Sequence, residues 1–170
     1  MQKGTVYFFT GLAGAGKTTI GGRFYERLKK ISPEAILRDG DKLRANSGHR
    51  DYSTESRKKG AWGQFQSCKE LADQGLDVVV CSISMYKDVR DWNRANIENY
   101  REIYVKVSME TLYKRNQKGL YSPGQKQVVG VDLPWDEPEA PDIVIENDKG
   151  ESPESIVDRL VKFFGLEGAA

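Results

Sequence analysis

The sequence predicts an α/β fold in three layers, with a parallel sheet covered by helices on both faces. Three observations lead to this prediction. Short, nearly continuous apolar segments alternate along the chain with segments of helical length and pattern. Alternation of this kind implies right-handed crossovers between parallel strands. The chain has 170 residues, which is enough for one compact domain with its own core, so we expect residues 1–170 to form a single domain.

The first half of the chain supplies two strands and two helices. Thr5–Thr10 is an apolar run rich in aromatic and β-branched residues, which is typical of a strand buried on both faces. Thr18–Lys30 is predicted to be an amphipathic helix, because its apolar residues recur every four positions. Ala35–Leu37 is predicted as a second strand. Ser53–Gln74 is predicted as a polar helix that begins at a serine or threonine cap and stops at Gly75.

The second half repeats the same alternation. We predict a buried strand at Val78–Ile83, a charged helix at Val89–Tyr100 and a strand at Ile103–Val107. Further along the chain, Ile143–Ile145 is predicted as one more strand and Ser155–Phe164 as one more helix. Each strand is followed by a helix or a connection, which can return the chain to the end of the sheet where the next parallel strand begins.

The segment from Lys118 to Pro141 differs from the rest of the chain. It contains several glycines and prolines and few periodic apolar residues. Since a strand and a helix follow it, we predict a mobile loop or lid at residues 118–141, and not a linker between domains.

Composition excludes several classes of partner. The chain has 26 basic and 25 acidic side chains, a formal net charge of +1, so no bulk field attracts nucleic acid or an anionic membrane. No apolar run approaches the roughly 20 residues of a membrane helix, and the start of the chain does not resemble a signal peptide. Cys68 and Cys81 are expected to be core residues, and His49 completes no metal-ligand pattern with them. We therefore expect a cytoplasmic protein.

A glycine-rich motif between the first strand and the first helix carries the main functional signal. Residues 11–18, GLAGAGKT, fit the pattern GxxxxGK[ST]. Glycines let the backbone N–H groups turn toward phosphate oxygens, and the following helix adds a favourable dipole. This motif in this context predicts a P-loop NTPase fold that binds ATP and Mg²⁺. The predicted ATP-binding residues are Gly11, Ala13, Gly14, Ala15, Gly16, Lys17, Thr18, Thr19 and Arg115.

Two other classes of nucleotide-binding protein fit the sequence poorly. A switch GTPase needs a base-reading NKxD segment, which the sequence lacks. An ATPase motor usually has an apolar strand that ends in Asp or Glu, whereas the strand VVVCSIS ends in serines. The chain is therefore predicted to be a kinase.

Two acids follow the second predicted strand. Ligands of open α/β sheets bind at the carboxyl ends of the strands, so Asp39 and Asp41 should lie beside the phosphate loop. Asp41 is predicted to accept the proton of the attacking hydroxyl, with Lys17 at the β- and γ-phosphates. Thr18 and Asp39 are the predicted Mg²⁺ ligands, Asp39 acting through water or by orienting the base.

Four cations are predicted to contact anionic groups. Arg44 and Arg57 flank the expected acceptor side of the site. Arg115 and Lys118 lie where the lid opens, and a cation that arrives on lid closure would neutralise charge on the transferring phosphoryl group.

With these residues in place, the sequence resembles the adenylylsulfate kinases over nearly its whole length. Those enzymes transfer the γ-phosphoryl group of ATP to the ribose 3′-hydroxyl of adenosine 5′-phosphosulfate. The resemblance rests on these segments: GLAGAGKTT, RDGDKLR, YSTESR, SISMYKDVRDWNR, KGLY, and GVDLPWDEPEAPD. The phosphate loop is shared by many kinases, whereas KGLY followed by GVDLPW and EPEAPD is much more specific.

The resemblance implies roles for individual residues. By position, Asp41 matches the catalytic acid, Arg44 and Arg57 the substrate-binding arginines, and Lys118 the lid lysine. Ser84 matches a serine that is phosphorylated in some members, although the usual following proline is Met85 here. The resemblance also implies a homodimer. The residues predicted to bind the acceptor are Arg44, Tyr52, Arg57, Ser84, Lys118 and Leu120.

The departures from the family pattern lie on the acceptor side. Gly60 stands where an asparagine contacts the substrate, and the two phenylalanines that sandwich the adenine correspond to Tyr52 and Val128. The lid is also several residues short. Base stacking contributes roughly 1–3 kcal/mol per base, so losing one ring weakens adenine binding by about five- to a hundredfold.

We therefore predict an ATP-dependent kinase that phosphorylates a ribose 3′-hydroxyl of a nucleotide-activated small acid. The acceptor is adenylylsulfate or a cytidine diphosphate conjugate such as cytidine diphosphoramidate, which relatives in bacterial capsule pathways use. A smaller pyrimidine would suit the altered slot. The alternative is a nucleotide-binding regulatory module that has lost its chemistry.

Overall fold

The computed structural model describes residues 2–48 and 50–169, and His49 lies outside the described residues. Five strands form one sheet in the order β2-β3-β1-β4-β5, and all neighbouring pairs are parallel. The strands are β1 (Val6–Thr10), β2 (Ile36–Asp39), β3 (Val78–Cys81), β4 (Tyr100–Lys106) and β5 (Ile143–Glu146).

Six α-helices connect and cover these strands. They are α1 (Lys17–Leu28), α2 (Gly40–Asn46), α3 (Thr54–Asp73), α4 (Lys87–Asn96), α5 (Met109–Arg115) and α6 (Pro153–Phe163), with short 3₁₀ segments at Gln117–Gly119 and Glu167–Ala169. The side chain of Ser53 accepts a hydrogen bond from the Ser56 N–H and so caps α3, as the sequence predicted. Within the part of the chain that the structure describes, no helix is both long and apolar enough to cross a bilayer.

The two faces of the sheet bury separate apolar clusters, which gives the three predicted layers. On one face α1 and α6 pack against strand residues that include Phe9 and Val105. On the other face α3 and α4 pack against Phe8 and Val80. Alternate residues of β1 therefore serve opposite cores, as expected for a strand with both faces covered. The α/β fold with a parallel sheet is confirmed.

The predicted lid segment, residues 118–141, contributes to a third apolar cluster, which it shares with Met85, Tyr104 and Leu112. Tyr121, Val128 and Val129 are buried, and they pack with Leu12 of the phosphate loop. The Tyr121 hydroxyl also donates a 2.5 Å hydrogen bond to the Ala13 carbonyl oxygen. The segment thus rests directly on the loop that the sequence assigned to phosphate binding.

Several element boundaries differ from the sequence predictions. The helix predicted at Val89–Tyr100 ends at Asn96, and Tyr100 is the first residue of β4, where it pairs with Val6. β3 ends at Cys81, so the predicted extension to Ile83 is a loop. β2 continues to Asp39, two residues beyond the predicted end at Leu37.

Two short helices, α2 and α5, were not predicted. Asp39 explains α2, because its side chain accepts hydrogen bonds from the Asp41 and Lys42 N–H groups and caps a helix that begins directly at the end of β2. α5 has only seven residues and is capped by Ser108. In sequences this short, helical periodicity is not detectable.

The two cysteines are core residues, as predicted. Cys68 and Cys81 are buried, and burial raises the pKa of each thiol to about 12. Neither thiol forms a disulfide. At neutral pH both side chains therefore remain neutral thiols.

A buried acid on β4 holds the C-terminal end of the lid segment against the sheet. Glu102 is 3% exposed and lies 3.7 Å from Arg90 Nε and 3.2 Å from Arg94 Nη2. Burial raises the pKa of Glu102, and the two arginines oppose that shift. Arg90 and Arg94 also donate to the carbonyl oxygens of Glu137 and Ala140. The network thereby ties α4 and β4 to the EPEAPD segment.

Replacing Glu102 with alanine should lower the free energy of unfolding by about 3 kcal/mol, because it leaves Arg90 buried without its carboxylate. Urea unfolding followed by circular dichroism measures the change. Glu98→Ala is the control, since Glu98 forms an exposed ion pair with Lys3 and should cost no more than about 1 kcal/mol. Equal losses in the two variants would contradict a structural role for the network.

Candidate active site

The loop between β1 and α1 has the backbone of a phosphate cradle. Gly11, Gly14 and Gly16 have φ angles of 152°, 83° and 104°, in the region that favours glycine. A Cβ atom at Gly11 would lie 2.4 Å from the Val105 carbonyl oxygen, so a side chain there would displace the loop from β4. The loop leads directly into the N-terminus of α1, where N–H groups without intrahelical partners favour anions.

Two residues distant in sequence brace this loop. The Asn147 side chain donates to the Ala15 carbonyl oxygen at 2.8 Å, although the residues are 132 positions apart. Arg115, at the end of α5, donates to the carbonyl oxygens of Gly14 at 3.0 Å and Asn147 at 2.6 Å. Arg115 therefore lies against the phosphate loop, with its guanidinium on the loop backbone and its side chain exposed.

Lys17 is held inside the loop. Its Nζ donates to the Leu12 carbonyl oxygen at 2.9 Å. Desolvation lowers the pKa of Lys17 to about 8, and the nearby carboxylates of Asp41 and Asp39 only partly oppose that shift. An anion that entered the loop would supply the missing counter-charge and raise this pKa again.

Thr18 and Asp39 bring two hard oxygen ligands together. The Thr18 hydroxyl donates to Asp39 Oδ2 at 3.0 Å, while Oδ1 of the same carboxylate caps α2. Mg²⁺ in phosphoryl-transfer sites is usually bound by one or two protein oxygens, by phosphate oxygens and by water. A hydroxyl and a carboxylate beside a phosphate loop fit such an ion.

Asp41 lies in the first turn of α2, next to the lid. Its Oδ2 is 3.5 Å from Lys118 Nζ, and both side chains are largely exposed. Lys118 has a φ of 55°, an uncommon value for a residue with a side chain. The structure thus places the predicted base and the predicted lid cation within contact of each other.

A cavity of about 410 Å³ begins at Asp41 and runs between α2, α3 and the loop after β3. A volume of this size suits a small-molecule ligand. Four of the predicted residues line it: Asp41, Arg44, Arg57 and Ser84. The other lining residues include Gly40, Ser56, Lys59, Gly60, Ala61, Gln64, Ser82, Tyr86 and Val129.

The two predicted arginines share one aromatic ring. The guanidinium carbons of Arg44 and Arg57 lie 5.3 Å and 5.4 Å from the centroid of the Tyr52 ring. Arg57 also donates to the carbonyl oxygens of Tyr52 at 2.9 Å and Gln127 at 3.1 Å. Because Gln127 belongs to the lid segment, Arg57 connects the cavity wall to the lid.

Three residues predicted to bind the acceptor, Tyr52, Lys118 and Leu120, do not line the cavity. The Tyr52 ring packs against Arg44 and Arg57, Lys118 forms an ion pair with Asp41, and Leu120 packs against the apolar cluster that contains Tyr121 and Val129. Thr19 is exposed on the first turn of α1. Val128, the counterpart of the second family phenylalanine, is buried, and Val129 lines the cavity instead.

Ser84 lines the cavity in an unusual backbone conformation. Its φ is 36°, and its hydroxyl lies 2.9 Å from that of Ser82. A positive φ is rare for serine and is characteristic of functional loops.

Sequence reasoning missed Lys59 and Gln64 in the cavity wall and Asn147 at the phosphate loop. Gln64 follows Arg57 by seven residues, which places it on the same helix face, so this spacing was a usable signal. No local signal identified Asn147, because its contact depends on the position of β5 in the sheet.

Comparison with known proteins gives the family. A sequence model of the adenylylsulphate kinase family matches residues 3–146. The cytidine diphosphoramidate kinase of Campylobacter jejuni is 42% identical over 165 residues, which cover 95% of this chain and 96% of that protein. A probable adenylyl-sulfate kinase of Archaeoglobus fulgidus is 33% identical over 154 residues, which cover 86% of this chain and 97% of that protein.

A solved structure agrees at the level of the fold. The APS kinase of Mycobacterium tuberculosis in complex with AMPPNP and APS superimposes with a TM-score of 0.83. The alignment covers 97% of this chain and 99% of that one, at 24% identity. The similarity extends over nearly the entire length of both chains.

Proposed function

The chain belongs to the adenylylsulphate kinase family, and from that premise we propose that it phosphorylates the ribose 3′-hydroxyl of a cytidine diphosphate conjugate such as cytidine diphosphoramidate. The phosphoryl donor of this family is ATP. The observation that carries the proposal is the cavity that begins at Asp41 and is lined by Arg44, Arg57 and Lys59, with glycine at position 60. A carboxylate at one end and cations along the wall match a hydroxyl acceptor that bears phosphate groups.

Residues around the phosphate loop would hold Mg²⁺-ATP. The loop N–H groups and Lys17 bind the phosphates, and Arg115 reaches the loop from α5. The Thr18 hydroxyl and the Asp39 carboxylate would hold the ion, directly or through water. When bound, Mg²⁺ supplies charge neutralisation on the phosphate oxygens.

Asp41 acts as the general base in this proposal. The acceptor 3′-hydroxyl gives its proton to the Asp41 carboxylate as its oxygen attacks the γ-phosphorus. The new O–P bond forms as the bond between the γ-phosphorus and the bridging oxygen of ADP breaks, and ADP leaves with that electron pair. Lys17 and Lys118, which contacts Asp41, stabilise the charge on the transferring group.

The acceptor side favours cytidine over adenosine. Gly60 leaves open the space that an asparagine side chain would fill. Val128 is buried among apolar residues, so its side chain does not cover a base. Tyr52 is then the remaining counterpart of the two family rings, and the guanidinium groups of Arg44 and Arg57 already pack against it. The relative with 42% identity is named for a cytidine diphosphate conjugate, which supports the same choice.

We propose a homodimer from the family resemblance, and a cytoplasmic location, a single domain and a lid at residues 118–141 from the length and composition of the sequence. The alternative of a regulatory module without chemistry is disfavoured, because Asp41 and Lys118 lie in contact beside the phosphate loop, and a module that only binds ATP needs neither group.

Acceptor-dependent release of ADP tests the proposal. With Mg²⁺-ATP, we expect turnover with cytidine diphosphoramidate and none with its 3′-deoxy analogue, because the latter lacks the attacking oxygen. The 2′-deoxy analogue is the matched control and should still react. Equal turnover of the 3′-deoxy analogue, or ADP release that does not depend on any acceptor, would contradict transfer to the 3′-hydroxyl.

The pKa of Lys17 predicts how ATP binding depends on pH. Lys17 in the free protein loses its proton near pH 8, whereas bound triphosphate favours the charged ammonium and raises that pKa. ATP binding above pH 8 therefore takes up a proton, and the affinity should fall by up to about tenfold per pH unit. Titration calorimetry at pH 7, 8 and 9 measures this slope.

Lys17→Met is the control for this titration, since it removes the titrating group and should bind ATP weakly with little change over the same range. A wild-type affinity that stays constant from pH 7 to pH 9 would show that Lys17 does not titrate there.

A further inference from the structure

One face of α3 forms a wall of the cavity. Arg57, Gly60, Ala61 and Gln64 all line it, and their spacing of i, i+3, i+4 and i+7 places them on a single helix face. Arg57 stands at the N-terminal end of this row, and Gln64 stands two turns further on, about 10 Å along the axis. The row is thus long enough to contact more than one group of a nucleotide.

Gln64 has an unmatched hydrogen-bond donor. Its Nε2 is buried, yet no described residue accepts a hydrogen bond from it. Buried polar atoms in native proteins nearly always have a partner, and an unpaired donor destabilises the folded state. Because Gln64 belongs to the cavity wall, rotation of its amide toward the cavity lets a bound ligand supply the missing acceptor atom.

The position of Gln64 indicates which part of a ligand it would meet. A Cβ atom at Gly60 would lie 3.8 Å from Arg44 Nη2, so the Arg44 guanidinium reaches α3 at that turn. Gln64 lies one turn beyond Gly60 on the same face, and residues four apart on a helix are about 6 Å from each other. An anionic group held by Arg44 would therefore lie next to the Gln64 amide.

We propose that Gln64 is a specificity-determining residue that binds the terminal phosphoryl group of the acceptor. This inference rests on the proposed function and names the chemical group of the acceptor that the cavity recognises. A primary amide both donates and accepts hydrogen bonds. It can donate to a phosphoryl oxygen and accept from an amino group on the same phosphorus, whereas a sulfuryl group offers acceptors only. The Gln64 amide therefore favours an aminated terminal phosphoryl group over a sulfuryl group.

Steady-state kinetics of Gln64→Leu with two acceptors tests this contact. Cytidine diphosphoramidate carries the terminal phosphoryl group, and cytidine monophosphate lacks it but keeps the base, ribose and first phosphate. We expect Gln64→Leu to raise KM for cytidine diphosphoramidate about tenfold or more. The KM values for cytidine monophosphate and for ATP should change by less than about twofold.

Two further variants separate the contact from a folding effect. Gln66→Leu makes the same substitution at an exposed position of α3 outside the cavity wall, and it should match the wild type with both acceptors. Gln64→Glu keeps the side-chain shape and places a negative charge beside the terminal phosphoryl group, so KM for cytidine diphosphoramidate should rise further. Unchanged KM values in both Gln64 variants would overturn the proposal.

An equal rise in KM for both cytidine acceptors would also overturn the proposal. Gln64 would then contact a part that both acceptors share, such as the base or the ribose. If the wild type phosphorylates no cytidine acceptor, the proposed function fails separately. The same variants measured with adenylylsulfate and adenosine monophosphate then decide the Gln64 contact. A rise in KM for adenylylsulfate alone would support the contact with a terminal group. An equal rise in KM for adenylylsulfate and adenosine monophosphate would overturn it.

Discussion

Replacing Asp41 with asparagine is expected to lower kcat for acceptor phosphorylation by about 10²- to 10⁴-fold while ATP binding survives. The reason is chemical, since an amide of the same shape cannot take the proton of the acceptor hydroxyl. Asp41 lies at the mouth of the cavity and outside the phosphate loop, so the loop and Lys17 remain intact. Acceptor-dependent ADP release measures kcat, and calorimetry measures ATP affinity.

The matched control is Asp158→Asn on α6, where the carboxylate pairs with Arg27 on the helical layer across the sheet. Its kcat should equal that of the wild type. Normal turnover by Asp41→Asn would show that another group accepts the proton. A parallel loss of ATP affinity would show instead that Asp41 supports the nucleotide site.

Replacing Arg57 with alanine should lower kcat/KM for the acceptor about a hundredfold or more, because truncating a charged group at a binding site typically costs 2–5 kcal/mol. Arg57 lines the cavity and donates to the Gln127 carbonyl oxygen of the lid. The loss should therefore appear in the acceptor KM through the missing cation, and in kcat through the loosened lid.

Arg57→Lys separates these two contributions. Lysine retains the charge but lacks the planar fork that reaches both Tyr52 and Gln127. We expect partial recovery of KM and little recovery of kcat. Arg159→Ala is the control, since Arg159 forms an exposed ion pair with Glu151 on the far side of the sheet. Full activity of Arg57→Ala would contradict the assignment of this wall to the acceptor.

Local chemistry made much of this fold predictable. Fully apolar runs such as VYFF and VVVC can only be strands with both faces covered, and β1 and β3 indeed supply both cores. The phosphate loop was recognisable because it needs glycine at fixed positions, and Gly11, Gly14 and Gly16 have positive φ angles there. These signals lie within a few residues of one another, which is why sequence alone reveals them.

Long-range contacts account for what sequence reasoning could not predict. Asn147 and Tyr121 contact the phosphate loop only because β5 and the lid come back to the same edge of the sheet. Lys59 looked like an ordinary polar residue of a polar helix, and only the packing of α3 places it in the cavity wall, whereas the seven-residue spacing from Arg57 was a signal for Gln64. Tyr52 was matched to a ring that stacks on the substrate base, yet in the structure its ring packs against Arg44 and Arg57 and does not line the cavity.

A competition assay tests the central claim most directly. Cytidine diphosphoramidate and adenylylsulfate are mixed at equal concentration with limiting Mg²⁺-ATP, and the two 3′-phosphorylated products are separated and counted. Their ratio equals the ratio of the two kcat/KM values. The proposed site predicts that the cytidine product is in clear excess. An excess of the adenosine product by orders of magnitude would contradict the assignment of Gly60, Val128 and the cavity wall to a cytidine acceptor.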